Sequence, residues 1–157
     1  MTLIPHKNET LVLPINALQV ISRLSRLTQP ANLSASGTGH KILFNGYVGS
    51  SSFKVSRKVN YPQNYMPIIQ GKIEASSRGC IVFLKYNLFF SSLMFFSFWT
   101  IMSFIIGIFL IVYSKAYLYA AVSFTAGGLN YLITVLNFNK QVKLSREALD
   151  KALKIMG

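Results

Sequence analysis

The chain has 157 residues, with 16 Lys and Arg against 4 Asp and Glu, so its formal net charge is +12. This length allows one small folded domain besides long apolar segments. Cys80 is the only cysteine, which excludes an intramolecular disulfide and fits a reducing compartment.

The N-terminal part of the chain predicts one helix after a polar start. Residues 1–13 are expected to be loose, and the first 30 residues hold no apolar run of signal-peptide length. Residues 14–28 predict an amphipathic helix with Pro14 in its first turn. We expect it to pack on its own domain rather than lie on lipid, because it is short and only modestly basic. Its apolar residues recur at every third position: Ile15, Leu18, Ile21, Leu24 and Leu27.

A small β module follows a linker. Residues 29–41 are rich in Pro, Ser and Gly and predict the linker. Residues 42–86 predict four antiparallel strands joined as a meander, with one face covered and one wet. The strands are expected at residues 42–48, 53–59, 68–75 and 80–86.

Two uncharged apolar stretches, 88–113 and 116–138, come next, with only Ser114 and Lys115 between them. Each is long enough for a helix to cross a bilayer, which takes roughly 20 residues. Residues 87–138 therefore predict a transmembrane hairpin in contact with the lipid bilayer. All basic residues except Lys115 flank the two stretches, which places both termini in the cytoplasm.

Residues 139–157 predict a cytoplasmic amphipathic helix that packs on the β module. Either one helix continues from the second apolar stretch, or residues 137–139 break it. The predicted fold class is thus an α+β membrane protein with an N-terminal helix, a four-stranded meander, a two-helix hairpin and a terminal helix. The apolar stripe of that last helix consists of Val142, Leu149, Leu153 and Met156.

The order of short motifs resembles a group of small bacterial two-span membrane proteins of unknown function. The resemblance covers residues 42–157 and implies a membrane-tethered small β domain, without implying an activity. The chain departs from that pattern at Gln63, where Arg is expected, and at Tyr65. The matching residues are Phe44, Gly46 and Val48, then Asn64, Met66 and Pro67, then Ile69, Gly71 and Ile73, followed by Gly79 and Glu147.

Residues that could support catalysis are few and scattered. His6 and His40 lie in segments expected to be loose, and Cys80 has no histidine near it in the sequence. No metal-ligand spacing, phosphate loop or dinucleotide fingerprint is present. We therefore predict no enzyme, no catalytic residue, no metal and no cofactor. The predicted spans hold neither histidine nor an ionisable residue, which excludes histidine ligation of haem or chlorophyll there and argues against a proton relay. Binding of a pigment through water, an Asn side chain or the backbone remains an alternative.

Small residues in the predicted spans indicate close helix packing. Ser103 and Gly107 are four residues apart, as are Ser123 and Gly127, and this spacing lets helix backbones approach closely. Asn130 is expected to form a hydrogen bond between helices. Pairing within one hairpin is favoured, with self-association through the same faces as the alternative.

Six basic residues of the β module are candidates for contact with an anionic surface. They follow the positive-inside bias, and attraction to anionic lipid head groups is the functional alternative to that bias. No nucleic-acid recognition motif accompanies them, which argues against nucleic-acid binding. The six residues are Lys54, Arg57, Lys58, Lys72, Arg78 and Lys85.

These observations favour a non-catalytic integral membrane protein. The leading hypothesis is an accessory or docking subunit of a larger bacterial membrane complex. The alternative is a homo-oligomeric membrane effector or pore with a cytoplasmic sensor domain.

Overall fold

A computed structural model describes residues 4–30, 42–59 and 63–154. These residues form a mixed α+β fold of one short helix, a six-stranded sheet and two long apolar helices that make a hairpin. The elements are β1 (His6–Leu13), α1 (Ala17–Leu27), β2 (Thr28–Gln29), β3 (Phe44–Val48), β4 (Ser52–Arg57), β5 (Pro67–Ser76), β6 (Gly79–Leu88), α2 (Phe90–Val112) and α3 (Tyr117–Lys154).

The predicted four-stranded meander is present as β3 to β6, where each strand pairs antiparallel with the next. Strict alternation explains why these residues form strands. Phe53 and Val55 are buried while Lys54 between them is exposed, and Ile69 and Ile73 alternate with exposed polar residues in the same way. We call the buried side of the sheet the inner face and the opposite side the outer face.

The prediction that residues 1–13 are loose is wrong for His6–Leu13, which form β1. This strand pairs antiparallel with β6 from His6 opposite Asn87 to Leu13 opposite Cys80. Its inner-face residues Leu11 and Leu13 pack against the core. The other face of an edge strand stays in water, so its polar residues imitate a loose segment in the sequence.

The meander is only part of a larger sheet, which has six strands in the order β1-β6-β5-β4-β3-β2 and is mixed. The prediction of a sheet with four strands, all antiparallel, is therefore wrong. β2 pairs in parallel with the start of β3, with Thr28 opposite Phe44. Gln29, the first residue of the predicted linker, belongs to β2. Residues 31–41 of that linker lie outside the described residues.

The N-terminal helix begins later than predicted. Asn16 caps α1 in a capping box with Gln19, so Pro14 precedes the helix. Its buried residues are Val20 and Leu24, whereas Leu18 of the predicted stripe is 73% exposed. A repeat of three residues falls 60° short of a full turn at each step, so it drifts off the face that packs on the sheet.

The two apolar helices form an antiparallel hairpin and are joined by a tight turn, in which Lys115 adopts a left-handed conformation (φ 48°). Both are long and apolar enough to cross a membrane by length and composition. The helix α3 continues without a break through residues 137–139 into the predicted C-terminal helix. Phe138 is buried in the same core as the sheet, so the helix passes straight into the domain.

The inner face of the sheet is covered by α1 and the last part of α3. Val142, Leu149 and Leu153 of the predicted stripe are buried there, and Met156 lies outside the described residues. The Arg57 guanidinium on β4 donates to Gln141 Oε1 at 3.0 Å, and Arg146 forms an ion pair with Glu9 on β1 at 2.6 Å. The helix therefore crosses the face from β4 towards β1.

A buried polar cluster lies where α3 meets β1 and β6. Tyr86 is fully buried, and burial together with the nearby negative charge of Glu9 raises the pKa of its phenol far above the ordinary value. Within the described residues, Tyr86 OH, Ser145 Oγ and Glu9 Oε2 are buried without a hydrogen-bond partner from the protein. Such groups are commonly satisfied by ordered water.

Replacement of Leu149 by Asp should unfold the sheet domain. Truncation of a buried Leu alone costs about 2–5 kcal/mol, and the carboxylate adds a desolvation cost against a total stability of about 5–15 kcal/mol. Limited proteolysis should then cleave within β4, which is protected in the unmodified protein. The exposed Lys151 on the same helix gives the control, since Lys151→Asp should leave β4 protected. Equal cleavage in both variants would contradict the packing of α3 on the sheet.

Candidate functional site

The four small residues singled out in the hairpin lie together between α2 and α3. Ser123 Oγ donates to the Ser103 carbonyl oxygen at 2.8 Å. A Cβ atom added at Gly127 would lie 3.1 Å from Ser103 Cβ, and one added at Gly107 would lie 2.7 Å from the Phe124 ring. The absence of side chains at the two glycines is therefore what allows the helices to approach.

Asn130 also lies in this interface. Its Nδ2 donates to Thr100 Oγ1 at 3.1 Å, and Thr100 Oγ1 donates to the Phe96 carbonyl oxygen at 2.9 Å. The fully buried Thr134 donates to the Asn130 carbonyl oxygen. Sequence reasoning missed Thr100 and Thr134, although their hydroxyl groups recur at helical spacing from Ser103 and Asn130 and so extend the same face.

The outward surface of the hairpin is apolar, with an aromatic patch on α2. Trp99 is 52% exposed, and its ring lies 5.6 Å from the Phe98 ring and 6.2 Å from the Phe95 ring. These three residues follow the i, i+3, i+4 spacing of one helix face. We call this set the aromatic patch.

The six basic residues predicted to contact an anionic surface do not form one cluster. Lys54, Lys72 and Lys85 project from the outer face of the sheet. Arg57 instead points to the inner side, where it bonds to Gln63 and Gln141. Lys58 follows β4, and Arg78 lies in the turn between β5 and β6.

Distance from the hairpin separates these cations further. The register places Lys54 and Lys85 in one row across the sheet, three residues from Leu88, or about 10 Å along the strands. Lys72 lies opposite Phe83, about 17 Å from Leu88. Arg78 lies about 30 Å away, at the far end of the strands. Sequence alone gives no hint of this order.

The outer face is open in the described part of the chain. Tyr47 is 73% exposed and Phe83 is 42% exposed, and Lys54 and Lys85 stand in the same row as Tyr47. Next to the hairpin this face carries a groove of about 470 Å³. The groove is lined by Pro30, Asn45, Tyr47, Lys54, Ile68 and Phe89, among others.

The cysteine is not placed for nucleophilic chemistry. Cys80 is buried in the core, and burial raises the pKa of its thiol. A thiol with a raised pKa is a poor nucleophile at neutral pH. Among the described residues no group of three or more His, Cys, Asp or Glu side chains could hold a metal ion.

Neighbouring glycines offer a test of the hairpin interface. An added Cβ at Gly127 would lie 3.1 Å from Ser103 Cβ, whereas one at Gly128 would meet nothing within 4 Å. We expect Gly127→Leu to lower the unfolding midpoint of the detergent-solubilised hairpin, because the side chain forces the helices apart. Gly128→Leu should be at least as stable as the unmodified chain, because it gains helix propensity and its added Cβ meets no neighbour. Gly127→Leu gains the same helix propensity, so the difference between the two variants reports the packing. Equal midpoints for the two variants would refute close packing at Gly127, and size-exclusion chromatography would report any change of subunit number.

Comparison of the chain with protein-family models, curated proteins and solved structures finds no match. The resemblance to bacterial two-span membrane proteins stays a prediction.

Proposed function

We propose that the chain is a non-catalytic, two-span integral membrane protein with both termini in the cytoplasm, and that it docks onto a larger membrane complex as an accessory subunit. The membrane part of the proposal is supported by the outward surface of the hairpin. Phe95, Phe98, Ile105 and Leu132 are among many large apolar side chains exposed there. A continuous apolar surface of this extent requires lipid or protein around it.

The observation that carries the docking proposal is the depth of the aromatic patch. Trp99 is the tenth residue of α2, so it lies about 14 Å from the start of that helix. A hydrocarbon core of about 30 Å puts this residue near the bilayer centre. Tryptophan that anchors a protein to lipid is enriched at the membrane interfaces instead. An exposed aromatic patch at mid-membrane fits the packing of a neighbouring transmembrane subunit, since aromatic side chains dominate the energetics of protein interfaces.

The polar groups of the hairpin also favour docking over a pore. Ser123, Asn130 and Thr134 are bonded within the hairpin. The exposed Thr125 and Asn137 bond to carbonyl oxygens of their own helix. A water-filled pore needs polar groups aimed outward at the lumen, whereas these five groups bond within the hairpin or to their own helix.

The proposed topology predicts opposite accessibility of the hairpin turn and the sheet. Ser114 in the turn and Ser77 between β5 and β6 are both exposed, so each can carry a cysteine on a Cys80→Ser background. An impermeant thiol reagent should label Ser114→Cys in intact cells and label Ser77→Cys only after permeabilisation. Labelling of Ser77→Cys alone in intact cells would reverse the topology.

The docking proposal predicts that the aromatic patch holds the partner. Native mass spectrometry of gently solubilised material should show larger, unrelated subunits. The double variant Phe98→Leu/Trp99→Leu should stay in the membrane, because it remains apolar, and should lose those subunits. Ile101→Leu/Ile105→Leu is the matched control on exposed aliphatic positions of the same helix and should keep them.

Two outcomes would overturn the docking proposal. A ring of identical chains would replace it with the homo-oligomeric membrane effector or pore. Retention of large subunits by both double variants would remove the aromatic patch as the contact.

A further inference from the structure

We propose that the groove at the junction of the sheet and the hairpin, together with Lys54 and Lys85, binds one anionic phospholipid. The inference rests on the proposed function, because it places the groove beside a bilayer.

The position of the groove fits the acyl part of a lipid. Phe89, the residue that directly precedes α2, forms one wall, so the groove lies at the level where the apolar hairpin begins. Ile68 and Pro30 add apolar surface, and the groove holds about 470 Å³. This volume suits a segment of acyl chain and glycerol backbone, since ligand sites commonly measure about 300–1,000 Å³.

A second cavity of about 430 Å³ shares Tyr47 and Lys54 with the groove and is also lined by Gln70, Lys72 and Lys85. Lys54 and Lys85 flank Gln70 in one row of the sheet. Their row is about 10 Å along the strands from Leu88. Head groups extend about 5–8 Å beyond the hydrocarbon core. The row thus lies about 2–5 Å outside that layer, and the long, flexible lysine side chains can reach back to the phosphate level.

The acidic residues are placed so that the site favours a negatively charged ligand. Glu9 lies opposite Leu84 and is held in the ion pair with Arg146 on the inner side. Glu74 lies opposite Ile81, about 23 Å along the strands from Leu88, and pairs with Lys72. Glu147 and Asp150, the remaining acids, lie on α3, which packs on the inner face. Within the described residues no carboxylate therefore neutralises Lys54 or Lys85 on the outer face next to the hairpin.

Lipid retention in nanodiscs tests the inference. The full chain is inserted into nanodiscs of equal phosphatidylglycerol and phosphatidylcholine, released gently and measured by native mass spectrometry. We expect one phosphatidylglycerol per chain in preference to phosphatidylcholine. Lys54→Gln/Lys85→Gln should weaken that retention about 30-fold, at about 1 kcal/mol per basic residue. Arg78→Gln/Lys151→Gln removes the same charge far from the groove and should keep the lipid.

A third variant separates the groove from the head-group contact. Ile68→Asn leaves both lysines and the net charge in place and should also weaken retention, because it puts a polar amide where the acyl chain lies. Undiminished retention by Ile68→Asn would confine the contact to the surface and refute the groove. Equal retention of phosphatidylglycerol and phosphatidylcholine would refute anionic selectivity. Equal loss of phosphatidylglycerol from Lys54→Gln/Lys85→Gln and from Arg78→Gln/Lys151→Gln would refute it as well. Failure of the chain to enter nanodiscs at all would instead overturn the membrane proposal.

Discussion

The structure depends on one helix that belongs to two layers. The first part of α3 packs on α2 in the hairpin, and its last part packs on the sheet. Its position on the sheet is fixed by burial of Leu149 and Val142 and by polar contacts with Arg57 on one side and Glu9 on the other. Since burial of each apolar side chain contributes about 1.5–3 kcal/mol, the helix cannot leave the sheet without loss of the core.

This constraint explains how a small domain can tolerate an inserted apolar hairpin. The strand β6 ends at Leu88 and α2 begins at Phe90, so the chain leaves the sheet and returns to it as α3 with almost no free linker. The hairpin itself is closed by small residues and by hydroxyl and amide groups that bond within it. These polar groups are thus satisfied within the hairpin, and its outward surface is left apolar.

Sequence patterns predicted the parts that depend on local periodicity. Phe53 and Val55 alternate with polar residues and mark β4, and the uncharged stretches mark the hairpin. The alternation of β1 is hidden in the sequence because Glu9 occupies an inner-face position, where its charge is balanced by Arg146, distant in the chain. The row that joins Lys54 to Lys85 was equally hidden, since strand register is a property of pairing rather than of either strand.

The unbroken helix α3 also couples the tilt of the hairpin to the position of the sheet. From Phe138 to Lys154 the helix extends about 24 Å beyond the apolar stretch. A helix that changes its tilt by about 10°, as helices do when the thickness of the surrounding bilayer changes, would move its far end by about 4 Å. Because the sheet is packed on that end, it would swing with the helix as one rigid body. If the hairpin spans a bilayer as proposed, the lateral position of the β domain would therefore follow the thickness of the surrounding lipid.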